Sequence, residues 1–332
     1  MKTPLSARKE KRPGQTARPG RAGRLALGSA LLVLTTAVGV QAAGARGMPA
    51  GFSVDAAGSR AQAWIERQCA LGPRVPGTAA HTAWIELVSG HLRSLGISVR
   101  QQRFRALMPG ARDSVDCTNL FASVNPGVRP RLLLGAHWDS RPWADRDPNP
   151  ANRAKPVPGA NDGASGVAAL LVLAETLQRA PAPLGIDLAF FDAEDMGREG
   201  HPQEYSLGSQ YMARTWRGPL PDWVLVLDLV GSERAEFGIE EFSEAAAPAF
   251  LDLLFRVAEG KGYRQWNRSV RYAVADDHLP FQYLGVPAID LIDFHDPVWH
   301  TVNDTPAHTS ATTLGRVIDV VATLIYEGHL AP

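Results

Sequence analysis

Beyond residue 58 the apolar positions fall into two alternating patterns. Residues 59–68 and 79–94 repeat them at helical spacing, with Trp84, Leu87, Val88, His91, Leu92 and Leu95 on one stripe. From there short apolar runs alternate with amphipathic stretches. Strands are predicted at 97–104, 119–124, 131–135, 186–191, 223–229 and 286–292. Helices are predicted at 164–177, 206–215, 245–259 and 309–326. Apolar strands without polar alternation are buried on both faces, and helices between them provide the crossovers of parallel pairing. The expected fold is therefore α/β: a three-layer α/β/α sandwich around a central mixed, mostly parallel sheet. No composition shift divides residues 48–332, which read as one domain.

The first 47 residues break this pattern. Residues 1–24 are basic and rich in Gly and Pro, and residues 25–44 then run without a charge. A basic stretch, an apolar run and small residues at Val40-Gln41-Ala42 have the build of a secretory signal. The run is also about as long as a bilayer is thick. It reads either as a signal cleaved near Ala42 or as an uncleaved anchor. In both cases the basic side stays inside, so the body is expected to be secreted or periplasmic. It would touch membrane only through an uncleaved N-terminal segment.

Composition narrows the function classes. The 332 residues are 45% hydrophobic and 20% charged, which is ordinary for a globular chain and excludes collagen, coiled coil and a polytopic membrane protein. Residues 1–42 hold eight of the 34 basic and one of the 34 acidic residues, so the rest carries a net charge of −7. An acidic body repels a phosphate backbone, which argues against nucleic acid as a partner. A monomer is expected. The two cysteines, Cys69 and Cys117, read as one disulfide in an oxidising compartment, with two buried thiols as the alternative.

In parallel α/β sheets ligands bind beyond the carboxyl ends of the strands. Chemistry-bearing residues follow the predicted strands one after another. His137 and Asp139 come after 131–135, and Asp162 lies in a glycine-rich turn before a helix. Asp192-Ala193-Glu194-Asp195 ends 186–191, and Asp228 lies inside an apolar strand. Asp276-Asp277-His278 precedes 286–292, and Trp299-His300 follows it. Singly, most have a plain reading: Asp162 as a helix cap, Glu194-Asp195 as a solvated pair, Asp276 to His278 as a helix start. Asp228 does not, because a buried acid in a strand needs a partner. Together they are carboxylates that repel unless a cation neutralises them or some hold protons. Imidazole and carboxylate donors without a nearby thiolate suit zinc in a catalytic site, whereas calcium asks for more oxygens.

The stretches AHWDS (136–140), GANDGASG (159–166), FFDAED (190–195), LDLVG (227–231), DDHLPF (276–281) and VWHT (298–301) resemble the animal-type glutaminyl cyclases and their bacterial relatives. These share a fold with the dizinc aminopeptidases. The resemblance implies a zinc-dependent glutaminyl-peptide cyclotransferase, which converts the N-terminal glutamine of peptides and proteins to pyroglutamate and releases ammonia. It implies Asp162, Asp195 and His300 as ligands of one zinc per chain and Glu194 as the catalytic acid/base. It further implies Asp228 and Asp276 as aspartates hydrogen-bonded around Glu194, and Trp299 and Phe294 as pocket walls. His137 and Asp277 fall to a second metal position or its surroundings. The alternative is a dizinc aminopeptidase, with His137, Asp162, Asp195, Asp228 and His300 around two zinc ions and Glu194 activating water. The chain also departs from the animal enzymes. Asp195 stands where they carry Glu, residues 196–204 lack their pocket tryptophan, His295 replaces a proline, and their disulfide positions are empty.

Overall fold

Ser53 opens the first helix, α1 (Val54–Cys69), its hydroxyl accepting from Ala56 N at 3.3 Å, so the helix begins ahead of the stretch its apolar spacing predicts. A computed structural model describes residues 47–110 and 112–330; the segment read above as signal or anchor lies outside them. Helix α2 (Ala79–Ser94) follows, then the antiparallel pair β1 (Val99–Leu107) and β2 (Ser114–Val124). The chain continues through β3 (Arg131–His137), α3 (Ala164–Arg179), β4 (Gly185–Phe191), α4 (Leu207–Arg214) and β5 (Trp223–Asp228). Next come β6 (Phe237–Glu240), α5 (Glu241–Ala246), α6 (Pro248–Gly260) and β7 (Trp266–Tyr272). Helix α7 (Leu279–Gln282), β8 (Ala288–Ile292) and α8 (Ala311–Tyr326) close the fold. Among the described residues no helix is long and apolar enough to cross a membrane.

Six strands form one sheet in the order β1-β2-β4-β3-β5-β8. The neighbours β4, β3, β5 and β8 are parallel, while β1 and β2 add antiparallel at one edge. This is the mixed, mostly parallel sheet that the alternation predicts. Strand parity decides which side chain meets which helix layer. Leu132, Leu134, Ile186, Leu188, Phe190, Leu225, Leu227, Ile289 and Leu291 join one core cluster with residues of α1, α2, α3, α6 and α8. The residues between them, Leu133, Ala189, Phe191, Val224, Val226 and Ala288, pack with Met212 of α4 and Phe281 of α7 on the other face. Truncating Leu227, fully buried at the sheet centre, to alanine should cost about 2–5 kcal/mol.

Helix α3 lies close on β5: a Cβ at Gly166 would sit 2.1 Å from Leu227 O, which only glycine avoids. The predicted helix 245–259 is two helices, because Pro248 has no N–H to continue α5 and instead starts α6. Strands β6 and β7 form a separate parallel pair that the spacing did not indicate.

The expected disulfide is absent: Cys69 and Cys117 are free thiols. Cys69 ends α1 and packs against the larger core, whereas Cys117 lies in β2 with Phe104, Ala106, Ala193 and Met196. Burial pushes both thiols up, away from the reactive thiolate.

Candidate active site

The four parallel strands finish on one edge of the sheet, and the loops leaving that edge carry the acids and imidazoles. The backbone there is bent to suit. Of five non-glycine residues with left-handed φ among the described residues, Ala193 (56°), Ser206 (53°), Leu229 (49°) and His300 (58°) stand at this edge. Such conformations persist where surrounding contacts over-determine them.

Glu194 and Asp195 are adjacent, and adjacent side chains on an extended strand diverge. The left-handed Ala193 supplies the turn that lets both line one cavity. The Asp139 carboxylate clamps it, accepting Glu194 N at 2.9 Å and Asp195 N at 3.1 Å. Asp162 is set by the Asp304 carboxylate, which accepts Asn161 N at 2.7 Å and Asp162 N at 3.0 Å. The next residue must be glycine: Gly163 has φ +93°, and a Cβ there would meet Asp139 O at 2.7 Å and the His137 ring at 3.1 Å.

Two groups of side chains bring potential metal-ligand atoms within 4.8 Å of one another: His137, Asp162 and Asp228, and Asp162, Asp195 and His300. They share Asp162. In the first, His137 Nε2 lies 3.1 Å from both Asp162 Oδ1 and Asp228 Oδ1. In the second, His300 Nε2 stands off at 3.3 Å from Asp195 Oδ1 and 3.7 Å from Asp162 Oδ2. Asp162 Oδ2 and Asp195 Oδ2 are buried and have no hydrogen-bond partner. A buried carboxylate oxygen without a donor is costly. Two such oxygens beside an imidazole fit a zinc ion, the donor set being nitrogen and oxygen with no thiolate.

Charge follows this geometry. Burial works against a charged imidazole at His137, but Asp228, Asp139 and Asp162 hold its pKa well above the usual value. Burial and the Asp195 charge push Asp162 up to about 6. Burial would raise Asp195 too, yet His300 and Arg141 together pull it below the ordinary carboxylate range.

Glu194 is buried, with one carboxylate oxygen accepting from Ser206 Oγ at 3.2 Å. Burial first, then the nearby Asp276, hold its carboxyl well above the usual range, with His137 opposing. Asp228 is raised by burial and lowered by His137. Asp276 accepts from Asp277 N, and burial followed by the Asp276 charge holds the carboxyl of the buried Asp290 well above the usual range. Asp277 joins neither metal-capable group, and neither of its oxygens has a partner.

A cavity of about 260 Å³ opens on this edge, lined by Asp162, Asp195, His300, Glu194, Asp228 and Asp276. Its apolar wall is Phe294 and Trp299, with ring centroids 4.8 Å apart, and Trp299 stacks on His300 at 3.8 Å. Tyr205 lines the cavity as well, just beyond the stretch that lacks a tryptophan. His137, 1% exposed, does not line it. The sequence pattern missed Tyr205 and the clamp Asp304, and it placed Asp139 at the strand end without giving it the role of a clamp. A buried arginine, Arg141, also escaped notice.

Residues 119–325 match peptidase family M28. The chain belongs to that family. Among M28-like relatives it is 30% identical over 288 residues to the glutaminyl-peptide cyclotransferase of Drosophila melanogaster, covering 79% of this chain and 78% of the relative. The crystal structure of Bacteroides thetaiotaomicron glutaminyl cyclase bound to N-acetylhistamine is similar with a TM-score of 0.77 and 34% identity, covering 81% of this chain and 97% of that one. A leucine aminopeptidase precursor from the same organism is similar with a TM-score of 0.78 and 34% identity, covering 81% and 96%. The likeness to glutaminyl cyclases read from the motifs, on a zinc-peptidase fold, is borne out.

Proposed function

We infer that this M28 protein is a zinc-dependent glutaminyl-peptide cyclotransferase, closing the N-terminal glutamine of peptides and proteins to pyroglutamate. The observation that carries this reading is one cavity onto which the Asp162, Asp195 and His300 group, the buried Glu194 and the Phe294–Trp299 wall all open. The named glutaminyl cyclases among its relatives support it.

Asp162, Asp195 and His300 would hold the zinc, which when bound would supply Lewis-acid polarisation of the γ-carboxamide. The substrate's α-amine forms a bond to the carbonyl carbon of the γ-carboxamide (Cδ), and the bond from that carbon to the amide nitrogen breaks. Glu194 takes a proton from the attacking amine and hands it to the leaving nitrogen, which departs as ammonia. A carboxylate with raised proton affinity is the better base, and burial beside Asp276 confers that on Glu194. Ser206 Oγ supplies the side-chain hydrogen bond to Glu194, and Asp276 acts on it through charge; the hydrogen bonds from Asp228 and Asp276 that the resemblance implied are not among those of the described residues. Phe294, Trp299 and Tyr205 confine the glutamine side chain. Because the reaction is intramolecular, holding amine against amide is a large part of the acceleration.

A second reading, a dizinc aminopeptidase, is favoured by one feature: the intact His137, Asp162 and Asp228 group. Purified protein offered a glutamine peptide and leucine p-nitroanilide separates the two. Ammonia without nitroaniline is expected, and nitroaniline without ammonia would reverse the assignment.

We further propose a monomer acting on peptide N-termini rather than nucleic acid, with residues 48–332 as the catalytic domain. Residues 1–47 would deliver it to the periplasm or outside as a cleaved signal or an anchor. N-terminal sequencing distinguishes cleavage near Ala42 from an intact chain in the membrane fraction.

A further inference from the structure

Arg141 leaves β3 four residues beyond His137 and is 1% exposed. Its guanidinium is divided between two carboxylates. Nη1 donates to Asp195 Oδ1 at 2.8 Å, while Nε and Nη2 donate to Asp145 Oδ1 and Oδ2 at 2.7 and 2.6 Å. Asp145 in turn lies 3.6 Å from His300 Nδ1. Two rings flank the guanidinium, Trp143 at 5.4 Å and Tyr205 at 5.8 Å from their centroids. One side chain thus grips Asp195 directly and holds the Asp145 carboxylate beside His300, at ion-pair rather than hydrogen-bond distance. It occupies Asp195 Oδ1 and leaves Oδ2 without a partner.

We propose that Arg141 is a positioning residue for the metal centre: with Asp145 it yokes Asp195 to His300 and presents the free oxygen of Asp195 as the ligand atom. Arginine suits this task better than lysine. A planar fork fixes two carboxylates at once, whereas an ammonium is a point charge on a flexible stem. Outer partners that orient a ligand are typically worth about 10–100-fold in metal affinity. The proposal rests on the reading of Asp195 as a zinc ligand.

The test is zinc affinity of the purified full chain, measured by competition with a chromogenic chelator, with activity on a glutamine peptide read at saturating zinc. Arg141→Met should bind zinc about 10–100-fold more weakly, with kcat and KM near the parent values once zinc saturates. Arg141→Lys should recover part of the lost affinity. Asp145→Asn, which keeps the loop but loosens the fork, should weaken zinc in the same direction, and it carries the test if Arg141→Met does not fold. Zinc affinity within about twofold of the parent in a folded Arg141→Met, or a loss confined to kcat at saturating zinc, overturns the proposal. Asp195→Ala runs alongside. If it keeps zinc, the ligand reading itself fails; if it loses zinc while Arg141→Met does not, only the role of Arg141 falls.

Discussion

The two ligand groups that share Asp162 are built from the same residue types and solve the same problem differently. In the inner group the imidazole of His137 sits between two carboxylates at 3.1 Å from each, and its raised proton affinity closes the group. In the outer group the imidazole of His300 stands off at 3.3 and 3.7 Å, and two buried oxygens are left without donors. The inner group also leaves His137 Nδ1 without a hydrogen-bond partner, so the two groups differ in spacing and in which ligand atoms are free. That contrast can be broken experimentally.

The largest effect should come from the ligands. Asp195→Ala should take zinc from about one per chain to near zero by elemental analysis, and activity with it. His137→Gln should leave about one zinc in place. A count that falls from two to one in His137→Gln would make the inner group a metal site as well. Next comes Glu194→Gln, which keeps size and zinc but cannot accept the amine's proton. Its kcat should fall by about 10²–10⁴-fold with KM little changed, and loss of zinc there would contradict the assigned role. Smaller still is Phe294→Ala, at the far ring of the wall. It should raise KM roughly tenfold, in line with about 1–3 kcal/mol for apolar pocket contacts, while zinc content stays level.

The last leaves activity aside and concerns the stability contribution of a third kind of acid, one neither facing an imidazole nor offered to a cation. Burial, then the Asp296 charge, push Asp293 up to about 7. In the unfolded chain an aspartate titrates near its model value of 3.8. The folded state thus binds an extra proton between these values, and stability falls as pH rises through that window, by up to about 1.4 kcal/mol per unit. Asp293→Asn should flatten that slope in denaturant titrations across pH, and an unchanged slope would assign it elsewhere.

The parallel strands were legible because each is a mostly apolar run, interrupted in three of them by a single acid (Asp187, Asp228 and Asp290), and the proposed ligands were legible because they lie in the segments after those runs. The β1–β2 pair extends past the predicted ends, on to Leu107 and back to Ser114, because the exposed Arg105 and Asp116 that face each other there carry no apolar signal. Strand β6 and helix α7, four residues each, are too short for periodicity to mark. Within the site, the clamps were hidden by distance along the chain. Arg141 and Asp195 are 54 residues apart, and Asp304 and Asn161 are 143 apart. In RPWADRDPNP the charges look like those of a solvated loop, and only folding turns Arg141 inward. The absence of a tryptophan at 196–204 was visible; that Tyr205 lines the cavity instead was not.

The left-handed residues at the sheet edge have a consequence for engineering. An L-residue at positive φ is held there at a cost of about 1–2 kcal/mol that glycine does not bear. Ala193→Gly is thus the sort of change a search for thermal robustness would reward, whereas Leu229→Gly would also remove a buried side chain worth more than the relief. Yet Ala193 precedes Glu194, and the freedom glycine brings would also reach the hinge that aims its carboxyl. Selection for heat resistance and selection for turnover should therefore diverge at this position before they diverge anywhere in the core.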